Sequence, residues 1–150
     1  MTQKKIKIEE ALCFNLYAAT RLMNQTYSEF LKEFQLTYPQ FLVLNILWEK
    51  EQVSLTEIGQ RLYLDSGTMT PLIRRMINQE LIYKEKNKLD GRESFLKLTK
   101  KGQHLQKKAQ HVASGMFCKL DVELDRFVEI RNGVRQIVHN LNESLKTKSK

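Results

Sequence analysis

A chain of 150 residues with 41% hydrophobic content is long enough for one domain with a real core. Its 25 Lys and Arg against 17 Asp and Glu leave a net charge of +8, which favours an anionic partner without identifying it. No run reaches the length that spans a bilayer, and the Lys-rich start lacks the apolar stretch of a signal peptide, so a cytoplasmic protein with no membrane partner is expected.

In chain order, Ile8, Leu12, Leu16, Ala19, Met23, Tyr27, Phe30 and Phe34 step by three or four and predict one long amphipathic first helix. Thr37-Tyr38-Pro39-Gln40 is a start signal, with Thr37 as cap, Pro39 in the first turn and Gln40 completing a capping box. Residues 41–48 are apolar on nearly all sides, so this helix is expected to be buried. Ser54 and Glu57 read as a second capping box opening a short helix whose Leu55, Ile58 and Leu62 share one face.

The short link Tyr63-Leu64-Asp65 leads into a further helix, capped by Asp65 or Ser66, with Pro71 near enough to its start to be tolerated. Its other face carries Ser66, Thr68, Thr70, Arg74 and Arg75, hydrogen-bonding groups suited to base edges and phosphates. Two helices so joined are a helix-turn-helix, whose second member enters the major groove. The strand-like runs 81–86 and 94–98 flank a polar, turn-rich stretch and read as a β-hairpin. Residues 84–101 hold seven Lys or Arg against three acids, Lys84, Lys86, Lys88 and Arg92 among them. By itself that is a solvated charged hairpin; behind a helix-turn-helix it is a DNA-binding wing, with Asp90 and Arg92 at its tip.

Thr99 then caps a helix expected over 100–119, and a last helix starts near Asp121. Leu124, Phe127, Val134, Val138, Leu141 and Leu145 keep its apolar spacing, interrupted at Arg131, and the Lys-rich tail is expected to fray. The terminal helices carry more apolar surface than a DNA-binding core needs, so the expected fold is mainly α with a small β-hairpin wing, a winged helix-turn-helix dimerising through its N- and C-terminal helices. The plainer alternative is a larger monomeric core. The proposed parts are dimerisation helices over 6–36 and 100–146 and a DNA-binding part over 53–99 in one domain. A two-fold pair of recognition helices reads a pseudo-palindromic operator in double-stranded DNA.

Two cysteines in an intracellular chain do not point to a structural disulfide. Cys13 follows Lys4, Lys5 and Lys7 near a helix start; the positive helix end and those lysines favour the reactive thiolate, while Glu9 and Glu10 oppose it. Composition alone reads Cys13 as a small apolar core residue. Cys118 sits in a segment with no motif of its own.

With these residues assembled, the chain resembles the MarR family of winged-helix regulators over nearly all its length. Asp90-Gly91-Arg92 followed by Leu98-Thr99 is similar to that family's wing signature. Residues 12–19, 36–44 and 64–72 together resemble the organic-hydroperoxide-resistance regulators, OhrR, and related staphylococcal-type regulators share the early cysteine. The resemblance implies a dimeric repressor that leaves its operator when Cys13 is oxidised by a peroxide. It implies that Tyr27 bonds the Cys13 sulfur with Tyr38 beside it, while Tyr17 lies one turn beyond Cys13 on the same side. Tyr27 is fourteen residues past Cys13, about 21 Å along one helix, so that bond has to come from the other subunit. It also implies that Cys118 is a resolving thiol that closes a disulfide with oxidised Cys13. The bland reading has the three tyrosines packing an interface with their hydroxyls wet.

Other chemistry has little support. His104 and His111 share a helix face but stand two turns apart, too far for one metal, His139 is remote from both, and no phosphate loop or nucleophile elbow occurs. No metal or other cofactor is expected. Two alternatives stay open: a winged-helix regulator answering to a small apolar ligand, and a thiol peroxidase that turns over through Cys13 and Cys118.

Overall fold

The stepped apolar positions of the first segment do form a helix, but in three parts. A 3-10 turn over Ile8–Glu10 leads into α1 (Leu12–Leu31), and a second 3-10 turn, Lys32–Phe34, ends at Gln35 in the left-handed region with φ 54°. The computed structural model describes residues 7–86 and 94–147 and divides between Ala113 and Ser114 into two compact units.

In the first unit, α2 (Tyr38–Glu49) is the central core helix, as its uniformly apolar run requires, with Phe41, Val43, Leu44, Ile46 and Leu47 buried. Its start signal works as expected, since the Thr37 N–H donates to Gln40 Oε1 at 2.9 Å. A two-residue strand, β1 (Val53–Ser54), precedes α3 (Leu55–Leu62) and α4 (Ser66–Asn78). Only half of the Ser54 box is seen: Ser54 Oγ accepts from Glu57 N at 3.1 Å, while the Glu57 carboxylate is engaged by Lys50 Nζ at 2.6 Å. Between the two helices Tyr63 turns left-handed, φ 54°, and Leu64 N–H closes on Gly59 O at 2.9 Å. A Cβ on Gly59 would stand 3.2 Å from Leu64 O, so the small residue lets the turn fold back.

The wing strands are β2 (Ile82–Lys86) and β3 (Ser94–Leu98), paired antiparallel with Ile82 opposite Leu98 and Lys86 opposite Ser94. β3 also pairs with β1, Val53 opposite Leu96, which makes a three-stranded sheet of order β1-β3-β2. The hairpin was expected; β1 was not, because two residues show no alternation. The core joins Leu31, Leu36 and α2 to Ile58, the buried side of α4, and Val53, Leu81, Ile82 and Leu96 of the sheet region.

After the wing, the expected single helix is two, α5 (Lys100–Lys108) and α6 (Gln110–Leu120), broken at Ala109 with no Pro or Gly to mark the break. Thr99 caps α5 by accepting from Gly102 N at 3.1 Å. In the second unit, which starts within α6, Asp121 adopts φ 49°, so the last helix cannot start there; α7 runs over Leu124–Thr147. Phe117 and Phe127 meet edge to face with centroids 5.2 Å apart. α7 buries no residue, and Leu124, Ile130, Val134, Val138, Leu141 and Leu145 all stand exposed.

α4 starts where Asp65 Oδ1 accepts from Thr68 N at 2.8 Å and Asp65 Oδ2 from Thr68 Oγ1 at 3.0 Å. Asp65, rather than Ser66, is the cap. Pro71, sixth in the helix, supplies no N–H to the ladder. Met69, Leu72, Ile73 and Met76 hold the helix down, each contributing about 1.5–3 kcal/mol by burial.

Where α5 crosses the wing, a Cβ on Gly102 would lie 2.2 Å from Leu81 O, and Trp48 Nε1 donates to Gly102 O at 3.0 Å. Gly102→Ala is expected to destabilise by at least the ~1–3 kcal/mol typical of overpacking, because the obstacle is backbone. Urea unfolding would read this; a loss under about 0.5 kcal/mol would mean the junction yields.

The hydrogen bond from Thr68 N, then that from Thr68 Oγ1, holds the Asp65 carboxyl below the usual aspartate range. Its capping contribution is therefore complete above the ordinary aspartate value, about 3.9, and is lost as pH falls through the lower folded value. Carboxyl NMR titration should place Asp65 below a free aspartate, with Thr68→Val moving it upward; no upward movement in Thr68→Val would refute the hydroxyl's part.

Candidate nucleic-acid interface and redox site

One face of α4 is spent on the core, so the opposite face is what the protein presents. Ser66, Gly67, Thr68, Thr70, Pro71, Arg74 and Arg75 are all exposed. At 100° per residue Gly67, Pro71 and Arg74 point most directly away from the buried side, with Thr70 and Arg75 flanking them. Two of the expected base-reading hydroxyls are already oriented: Thr68 donates to Asp65, and Thr70 Oγ1 donates to Ser66 O at 2.8 Å. Each keeps acceptor lone pairs facing outward. Asp65 is a cap whose charge the first turn absorbs.

Lys84 and Lys86 are exposed on β2 and alternate with Glu85, whose carboxylate pairs with Lys97 Nζ at 2.5 Å. That pair crosses the ladder from β2 to β3 and leaves the two outer lysines facing solvent. Lys88, Asp90 and Arg92, expected at the hairpin tip, lie outside the described residues.

Cys13 is the second residue of α1 and is exposed, as is Cys118 near the end of α6. Asn15 braces the corner before α1 by donating through Nδ2 to Glu9 O at 2.7 Å and Ala11 O at 3.0 Å. Tyr17, one turn past Cys13, is exposed and lies under the Arg21 guanidinium, 5.8 Å from ring centroid to Cζ. Cys13, Tyr17 and Arg21 thus form a stripe along α1; the cation in it was not anticipated, although its i+4 spacing from Tyr17 is visible in the sequence.

Tyr27 and Tyr38 are brought together, from α1 and the first residue of α2. Their rings stack with centroids 4.2 Å apart at 22°. Burial, with Tyr27 beside it, pushes the Tyr38 hydroxyl up to about 12; burial also raises Tyr27, partly offset by its hydrogen bond with Tyr38. Both phenols are therefore protonated at neutral pH, as an ordinary tyrosine is, and their stacked rings hold the two hydroxyls near one another. Within one chain Cys13 and Tyr27 sit on the same helix, about 21 Å apart along its axis.

The remaining sequence candidates are scattered. His104 Nδ1 lies 3.1 Å from Lys100 O, and His111 Nε2 lies 3.0 Å from Glu33 Oε1. Among the described residues no group of His, Cys, Asp and Glu is arranged to hold a metal, and no helix is long and apolar enough to cross a membrane.

A family model described as "Transcriptional regulator SarA/Rot" matches residues 25–109. The HTH-type transcriptional regulator MgrA of Staphylococcus aureus is 35% identical over 138 residues, which cover 91% of this chain and 94% of MgrA. The organic hydroperoxide resistance transcriptional regulator of Bacillus subtilis (strain 168) is 43% identical over 104 residues, 69% of this chain and 71% of that protein, in keeping with the segments that resembled OhrR. Among solved structures, over-oxidised AbfR bound to DNA matches with a TM-score of 0.77 at 32% identity, over 94% of this chain and 99% of that one. AbfR, from Staphylococcus epidermidis, has also been solved reduced on DNA and with its disulfide formed. Matched through its helix-turn-helix and sheet by the family model and along most of its length by these relatives, the chain belongs to the SarA/Rot family of winged-helix transcriptional regulators.

Proposed function

We propose that this protein is a cytoplasmic, homodimeric repressor that holds a pseudo-palindromic operator when reduced and releases it when Cys13 is oxidised by an organic hydroperoxide or a related oxidant. The observation that carries the redox part is the Tyr27–Tyr38 pair, two phenols stacked with ring centroids 4.2 Å apart. A protonated phenol is a donor a thiolate can use, and in a dimer Tyr27 reaches Cys13 of the second copy. The dimer part is supported by α7, a 24-residue helix that buries nothing, and by the exposed Leu12, Tyr17 and Leu22 of α1. The proposed organisation keeps 6–36 and 100–146 for dimerisation and 53–99 for DNA.

Ser66, Thr68, Thr70, Arg74 and Arg75 meet base edges and adjacent phosphates, with Asp65 fixing the helix start. Lys84, Lys86 and Lys88 add backbone contacts, and Asp90 and Arg92 form the wing tip, with Arg92 aimed at the minor groove.

The chemistry is a single pass. The Cys13 thiolate attacks the peroxide; an S–O bond forms, the O–O bond breaks and the alcohol leaves with a proton, giving the sulfenic acid. The Cys118 thiolate then attacks that sulfur, the S–S bond forms and water leaves. Over-oxidised AbfR is known bound to DNA, so we assign release in this protein to the disulfide rather than to the oxidised sulfur alone. No catalytic turnover is part of this reading; rapid recycling of Cys13 by a reductant would favour a thiol peroxidase instead.

Operator binding before and after organic hydroperoxide, read beside non-reducing electrophoresis, tests the assignment. Cys13→Ser should bind DNA as the parent does and ignore peroxide. Cys118→Ser should be oxidised at Cys13, form no Cys13–Cys118 disulfide and stay on DNA. Release in Cys13→Ser would overturn the sensor, and release in Cys118→Ser would overturn the disulfide step.

Removing residues 121–150 strips the exposed apolar stripe of α7, several side chains at about 1.5–3 kcal/mol each if a partner buries them. The shortened chain should be monomeric and lose operator affinity. A stable dimer of that chain in analytical ultracentrifugation would show the interface lies elsewhere.

A further inference from the structure

Among the described residues one polar side chain is buried, Gln40, at 3% exposure. Its amide joins two elements. Oε1 accepts from Thr37 N at 2.9 Å, which fixes the first turn of α2, and Nε2 donates to Gln79 Oε1 at 2.8 Å. Gln79 is the C-cap of α4, with its own N–H on Arg75 O at 2.9 Å. Further bonds converge on the same cap. Gln79 Nε2 reaches Gln35 O at 3.4 Å, just past the end of α1, and Lys101 Nζ of α5 donates to Gln79 O at 2.7 Å.

The other end of this bridge is the phenol pair. Tyr38 stands between Thr37 and Gln40 as the first residue of α2, and its ring lies on Tyr27. Any displacement of Tyr38 moves the turn whose backbone Gln40 clasps. An apolar side chain at position 40 would fill the same space and let α2 and α4 slide past one another; the amide bond sets one register. The α4 core contacts Met69, Leu72, Ile73 and Met76 are apolar and non-directional, so they hold the helix down without fixing its end.

We propose that Gln40 is a positioning residue for DNA binding: through Gln79 it couples the state of the Tyr27–Tyr38 pair to the C-terminal end of the recognition helix. The redox meaning of that coupling rests on the reading above, in which the phenols answer to Cys13; the coupling itself is a property of one reduced chain and is measured there.

The test is a double-mutant cycle on reduced full-length protein, with a duplex of about 30 base pairs enriched from a random pool by the parent as probe. Tyr27→Ala, which removes the stack, should weaken binding about five-fold or more in the parent, within the usual range of coupling between sites. In Gln40→Met, close in volume and unable to bridge, the same substitution should change binding by less than about two-fold. Gln79→Ala, at a partly exposed helix end that need not disturb folding, should behave as Gln40→Met does. A merely structural Gln40 would lower affinity by a constant factor and leave the Tyr27 effect intact. Equal Tyr27→Ala factors in all three backgrounds, or no effect of Tyr27→Ala in the parent, would overturn the proposal. Peroxide response of the parent is scored separately: its absence would sink the Cys13 reading while the cycle still reports on Gln40.

Discussion

The carbonyl of Leu81 is the point on which the DNA-binding half of the molecule turns. Leu81 N–H closes the end of α4 on Met76 O at 3.0 Å and its C=O accepts Thr99 N at 3.1 Å, while the Thr99 hydroxyl donates to Glu80 O at 2.6 Å with Leu81 O 3.1 Å away. The same carbonyl faces the missing side chain of Gly102, whose own carbonyl takes the Trp48 indole. The backbone of Leu81 and that of Gly102 beside it thereby tie the recognition helix, the wing sheet, α5 and the central helix α2. Directional bonds at that junction orient elements that the apolar core merely holds together.

Seen from this junction, α4 is a rigid part with polar clamps at both ends and apolar contacts between them. Asp65 and Thr68 close its start; Gln79, reached by Gln40 and Lys101, closes its end. The phenol pair lies one residue from the Thr37 cap of α2, so a change at the pair and a change in the pose of α4 share a short polar route. A regulator needs such a route because it must alter the fit of a helix to DNA without unfolding it, and a directional bond between two elements makes their relative pose sensitive to a change at one end.

Local chemistry was legible in the sequence. Caps at Thr37, Ser54, Asp65 and Thr99 sit where a short side-chain oxygen precedes an amphipathic run, and the buried character of α2 follows from its uniformly apolar residues. The hairpin, the helix-turn-helix link at Tyr63 and the nearness of Tyr27 to Tyr38 were legible too, the last by resemblance. What escaped was non-local or conformational. The β1 strand exists because Val53 finds Leu96; Gly102 matters because Leu81 arrives beside it. The Gln40–Gln79 bond joins residues 39 apart, the break at Ala109 involves a residue type that carries no such signal, and the left-handed Asp121 is of a type that visits that region but more often caps a helix. Arg21 was overlooked for another reason: charges on an exposed helix face are the ordinary condition of surfaces.

Pro71 has one more effect. Having no N–H, it cannot supply the bond that Gly67 C=O would receive from the residue four places on, and Gly67 has no side chain to cover that oxygen. The exposed face of α4 therefore carries one main-chain carbonyl that lacks its ladder bond. Whatever surface docks against this helix must bring a donor for that oxygen or leave a water in place. In the DNA-binding role proposed for α4, an amino group on a base edge would meet that demand and a methyl group would not, a contribution that a scan of side chains alone would miss.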